Sequence, residues 1–176
     1  MNTPERAIAI AKAAEPFRAL LGSTTADDLL AWLRAELGNS EALDRWVDHG
    51  EAKTKAITLE TILHVVSGNT PHAALQSLIG GLLLGSLNLV KLPRGGMIEV
   101  DEFVSSLPDT LRAKVETAEE LPSDWLAQAD AVIVYGSDET IAHFRSIASP
   151  SQVCVGHGHK ASVGRVWEDP AFAACE

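Results

Sequence analysis

The chain is 176 residues long, 46% hydrophobic and 22% charged, with a mean hydropathy of +0.07. That supports one ordinary hydrophobic core and excludes both two large domains and a disordered chain. Fourteen Lys and Arg face 24 Asp and Glu, a net charge of −10 spread without a basic stripe, which excludes a general nucleic-acid binder because such binding rests on neutralising phosphates.

Two cysteines, Cys154 and Cys175, make no disulfide framework, and the start Met1-Asn2-Thr3-Pro4-Glu5 lacks the basic-then-apolar pattern of a signal peptide. A cytoplasmic location is expected. Residues 1–57 are expected to form a helical N-terminal segment. Ile8, Ile10, Phe17, Leu20 and Leu21 give a helical pattern interrupted at Pro16. Leu29, Trp32, Leu33 and Leu37 share one face of the next helix, with Thr25 and Asp28 placed to cap its start and Gly38 its end. Ser40 is placed to cap a further helix carrying Leu43, Trp46 and Val47 on one side. Nothing in this segment calls for chemistry.

From residue 58 to 176 the pattern alternates short apolar runs with helices. Ile62–Val66 reads as a strand, His72–Gly85 as a helix and Leu87–Leu92 as a second strand. The 18 residues from Ala73 to Val90 carry no charge, the lower limit of a membrane span. Gln76, Gly80, Gly81, Gly85, Ser86 and Asn88 instead divide them into a buried helix and a buried strand, so no span is expected. Met97–Leu107 reads as helical, Val115 centres a third strand, and Ser123 is placed to cap a short helix with Trp125 and Leu126. Ala131–Tyr135 is the clearest strand; Glu139–Ile147 is a helix and Gln152–Val155 the last strand. Repeated β–turn–α units of this length give an α/β fold, a Rossmann-like parallel sheet with helices on both faces.

In such a sheet, ligands bind beyond the carboxyl ends of the strands, where four turns lie. In Gly68-Asn69-Thr70-Pro71, Asn69 either caps the following helix or points its amide at a ligand carbonyl. Lys91 and Arg94 are cations just past a strand end. Gly136-Ser137-Asp138-Glu139 brings a helix N-terminus, which suits a phosphate, although Ser137 as a plain cap explains the same residues. Gly156-His157-Gly158-His159-Lys160-Ala161 fits G-x-G-x-x-A in form only, because a dinucleotide fingerprint belongs to a first βα turn with an acidic residue about 20 positions on. Cys154, His157 and His159 lack a fourth ligand for zinc, and Ser162, His157 and Asp169 lack the nucleophile elbow of a hydrolase.

Four segments in register, His64–Pro71, Gly81–Pro93, Val134–Ile141 and Gly156–Ser162, resemble LuxC-type acyl-CoA reductases of the aldehyde dehydrogenase superfamily. The resemblance covers residues 60–166. It implies reduction of a fatty acyl-CoA or other acyl thioester to an aldehyde with NADPH, through an acyl-enzyme on a cysteine. By position it makes Asn69 the oxyanion-hole amide and Lys91 the residue on the adenosine ribose or its 2′-phosphate. It brings Gly136 and Ser137 to the pyrophosphate with Thr140 beside it, and puts Gly156, His157 and Gly158 in a loop on the nicotinamide side. NADP is the cofactor implied.

Chains of that family are more than twice this length, with the nucleophilic cysteine in a second domain past the last of these segments. Cys175 comes 16 residues after His159, in the setting Ala171-Phe172-Ala173-Ala174-Cys175-Glu176, and does not match. Cys154 reads as a core residue of a strand, and Val155 stands where the superfamily commonly has a general-base Glu. The expectation is a nucleotide-binding part whose C-terminal catalytic domain is missing, inactive by itself and completed by a partner chain carrying the cysteine. The alternative is a non-catalytic truncated module for dinucleotide binding or interaction. An apolar face left uncovered would favour a homo-oligomer.

Overall fold

The computed structural model describes residues 1–158; the readings at His159, Lys160, Ala161, Ser162, Asp169 and Cys175 lie outside them. Three helices open the chain, α1 (Thr3–Ala14), α2 (Arg18–Leu21) and α3 (Ala26–Leu37), with a 3-10 turn at Glu15–Phe17 where Pro16 interrupts the pattern. The α3 cap forms as the sequence implies: Thr25 accepts from Asp28 N while Asp28 accepts from Thr25 N, and Gly38 ends the helix at φ +75°.

The helix expected after Ser40 does not form. Residues 39–45 are turns, followed by a hairpin of β1 (Val47–His49) and β2 (Ala52–Thr54). Long-range bonds override the local helical pattern. Asp44 accepts from Thr3 N at 2.9 Å, Ala42 O accepts from Ala56 N at 2.8 Å, and Gly50 turns at φ +66°.

The centre is a five-stranded parallel sheet built from β3 (Thr61–Val65), β4 (Leu87–Lys91), β5 (Val115–Ala118), β6 (Ala131–Tyr135) and β7 (Val153–His157), in the order β5-β4-β3-β6-β7. After β3 the chain builds outward through α4 (Pro71–Leu84), α5 (Ile98–Ser106) and the single turn α6 (Asp109–Arg112). It then returns past α7 (Trp125–Gln128) to β6 and crosses to β7 through α8 (Asp138–Ile147). Strand order therefore reverses between β3 and β6, the position where such sheets open a crevice.

Side chains alternate across the sheet, and two cores result. Leu63, Val65, Leu89, Val132 and Val134 pack under α7 and α8 through Trp125, Ile141 and Phe144. The opposite face carries α4, itself covered by α1, α2 and α5, with α3 packed on α1. Buried on several sides, α4 has almost no polar face, which explains the uncharged run. It ends at Gly85 with φ +86°, and no helix among the described residues is long and apolar enough to cross a membrane.

Two smaller expectations are corrected. Ser123 is not the cap of α7; Asp124 holds that position and makes no side-chain cap bond. Cys154 is half-buried rather than core, with Val153 and Val155 exposed beside it, because β7 has one pairing partner among the described residues.

Candidate functional site

The carboxyl ends of β4, β3 and β6 lie side by side, with Lys91 paired to Val65 and Val65 to Val134. At a strand spacing of about 4.8 Å, Lys91 and the start of the Gly136 turn stand about 10 Å apart across β3. The loop leaving β3, with Asn69 on it, lies between them. Topology thus gathers Asn69, Lys91, Gly136, Ser137 and Thr140 at one end of the sheet, although 71 residues separate Asn69 from Thr140 in the sequence.

Asn69 does not cap α4. Thr70 occupies that position without a side-chain cap bond, and its Oγ1 is buried with no partner. The exposed Asn69 side chain instead accepts from Ser67 Oγ at 2.5 Å, which leaves its Nδ2 donors for other partners. The loop is seated against the next one: a Cβ on Gly68 would stand 3.4 Å from Pro93 Cβ, and Gly95 N donates to Glu119 Oε2 at 2.8 Å. Lys91 is half-buried and makes no ion pair among the described residues, while Arg94 is exposed.

Ser137 is the cap of α8. Its Oγ accepts from Thr140 N at 3.2 Å and lies 3.1 Å from Thr140 Oγ1. The other first-turn N–H groups have no partner within the helix, as in any α-helix. A Cβ on Gly136 would crowd the Thr140 side chain at 3.2 Å. These donors suit a phosphate; the exposed carboxylates of Asp138 and Glu139 weaken the local field for one. Lys91 and the α8 terminus together form a donor set that fits a dinucleotide polyanion.

Gly156 and His157 are not in a loop. They are the last residues of β7, and Gly158 follows them. Their glycines have a packing reason: a Cβ on Gly156 would stand 2.5 Å from Ile141 Cγ2, and one on Gly158 2.5 Å from Asp138 Oδ1. The His157 ring stacks on Tyr135, centroids 4.6 Å apart and planes at 12°. This pair lines an apolar groove of about 840 Å³ that also has Trp32, Ile79, Ile133 and Val155 in its walls. Among the described residues no group of His, Cys, Asp and Glu could hold a metal ion.

Sequence reasoning missed a buried polar cluster behind the site. His64 is fully buried, with Nδ1 2.7 Å from Ser77 Oγ and Nε2 3.0 Å from Asn88 Oδ1. Asn88 Nδ2 donates to Ser86 O and Lys114 O, so its oxygen faces the ring and His64 carries its proton on Nε2. Burial pushes the imidazole pKa down to about 4, against a smaller opposing effect of the Asn88 bond. A polar residue at the centre of an apolar strand run was the available signal.

The model of the family described as acyl-CoA reductase (LuxC) matches residues 6–174. The chain belongs to this family. A curated relative, the long-chain acyl-protein thioester reductase of Aliivibrio fischeri, is 24% identical over 140 residues. The match takes in 73% of this chain and 29% of that protein, so the chain spans less than a third of the relative's length. Among solved structures, a NAD-dependent benzaldehyde dehydrogenase from Corynebacterium glutamicum is similar at a TM-score of 0.58 and 15% identity, over 90% of this chain and 42% of that one. A gamma-glutamyl phosphate reductase from Thermotoga maritima gives 0.52 and 15%, over 88% and 48%. The fold of this LuxC-family chain is similar to that of these dehydrogenase and reductase structures.

Proposed function

We propose that this chain supplies the nucleotide-binding half of an NADPH-dependent fatty acyl thioester reductase, with residues 58–176 belonging to that unit and residues 1–57 covering it. The observation that carries the reading is the gathering of Asn69, Lys91 and the α8 N-terminus at the point where strand order reverses. Asn69 Nδ2 donates to the thioester oxygen as negative charge develops there. Lys91 holds the adenosine ribose or its 2′-phosphate. Gly136 and Ser137 lie along the pyrophosphate with Thr140 beside them, and Gly156, His157 and Gly158 flank the nicotinamide. The bound cofactor supplies hydride. The nucleophilic thiol comes from outside the described residues, whether from this polypeptide or from a partner chain. Cys154 is paired in register with Val132, on the face turned to α8 and away from the opposite core.

The experiment is a fluorescence titration with NADPH and NADH. Loss of one charge-assisted bond predicts that Lys91→Ala weakens NADPH binding about tenfold, and NADH less if Lys91 meets the 2′-phosphate. Equal affinities of wild type and variant for both nucleotides would remove Lys91 from the site. Absence of saturable binding by the wild type favours the second reading, a module that keeps the fold without the cofactor. The carboxylates of Asp138 and Glu139 at the α8 terminus are the feature that favours it.

A further inference from the structure

We propose that Ser67 is a positioning residue for the Asn69 amide, an inference that rests on the oxyanion reading of Asn69. Ser67 directly follows Val66, whose N–H donates to Lys91 O at 3.1 Å and extends the β3–β4 ladder by one residue. It is therefore anchored to the sheet, whereas Asn69, two residues on, is exposed. Its hydroxyl donates to Asn69 Oδ1 at 2.5 Å, and Ser67 O accepts from Thr70 N at 3.4 Å, closing the loop on itself.

The chemistry of an amide makes this bond decisive. The terminal torsion of Asn is broad and nearly two-fold, so an unheld exposed amide presents its oxygen about as readily as its nitrogen. An oxygen turned toward a developing oxyanion repels it. Occupying Oδ1 with the Ser67 hydroxyl removes that orientation and aims the Nδ2 donors outward. It also polarises the amide, which strengthens Nδ2–H as a donor. Alanine at position 67 leaves the amide free to turn; threonine keeps the hydroxyl.

The test uses ¹⁵N relaxation of the Asn69 side-chain amide in the 176-residue chain, which needs neither nucleophile nor turnover. Wild type and Ser67→Thr are expected to show an ordered amide. In Ser67→Ala its order parameter falls into the flexible range, below about 0.6, with backbone spectra unchanged elsewhere. An equally ordered Asn69 amide in Ser67→Ala overturns the proposal. A second arm titrates an acyl-CoA analogue with a ¹³C-labelled ketone in place of the thioester. Asn69→Ala is expected to abolish the downfield carbonyl shift and Ser67→Ala to reduce it severalfold, with Ser67→Thr restoring it. A shift that survives Asn69→Ala defeats the oxyanion reading, while the relaxation arm still decides on Ser67. A shift lost in Asn69→Ala but intact in Ser67→Ala defeats the positioning role alone.

Discussion

Acidification should destabilise this fold through His64. Its ring is wholly buried and neutral, bonded to Ser77 and Asn88, with its pKa lowered from 6.5 to about 4 chiefly by burial. Between those values the unfolded chain binds a proton that the folded chain does not, so stability is full above pH 6.5 and falls as pH drops. Integrating the difference gives a loss of about 2 kcal/mol at pH 5 and about 3 kcal/mol at pH 4, levelling off below that. The assay is urea unfolding followed by tryptophan fluorescence at pH 7.5, 6, 5 and 4, for wild type and His64→Gln. Other titrating groups are common to both proteins, so the difference between the two profiles isolates His64. The variant is expected to start less stable at pH 7.5, because Ser77 and Asn88 lose their partner, and to lose about 3 kcal/mol less than wild type on the way to pH 4. Parallel profiles would refute the reasoning.

Three other outcomes are expected. Gly81→Ala should cost about 3 kcal/mol or more, since an added Cβ would overlap Asn88 Oδ1 and stand 3.0 Å from its Cγ, displacing an amide bonded to His64, Ser86 and Lys114. A urea midpoint unchanged from wild type would contradict it. Thr25→Ala should cost about 1 kcal/mol by removing the α3 cap, read in the same assay; a neutral result would mean that α3 is held by packing alone. The 176-residue polypeptide by itself should show no acyl-CoA-dependent NADPH oxidation, because Cys154 faces α8 and not the Asn69 loop, and Cys175 comes too soon after His159 to match the family's nucleophile. Turnover abolished by Cys175→Ala would overturn that expectation and assign the nucleophile.

Local chemistry made much of this protein legible in its sequence. The alternation of apolar runs with helices implied the parallel sheet. Thr25 with Asp28, Pro71, Gly85 and Ser137 marked helix ends that the structure bears out, because caps and turns depend on residues three or four apart. Four spaced segments were enough to point to the LuxC family. What the tertiary structure decided was non-local. The order β5-β4-β3-β6-β7 follows from strand pairings between residues as distant as Val65 and Val134. The segment 40–54 became turns and a hairpin because Asp44 is claimed by Thr3 and Ala42 by Ala56. Cys154 was left half-exposed on a strand with one pairing partner among the described residues, and Thr70 rather than Asn69 took the α4 cap position while the Asn69 oxygen met Ser67. His64 became a buried neutral base only because α4 and β4 bring Ser77 and Asn88 to its two nitrogens. Periodicity tells which face of an element is apolar; which partner covers that face, and which polar groups meet across it, is fixed only when the chain closes on itself.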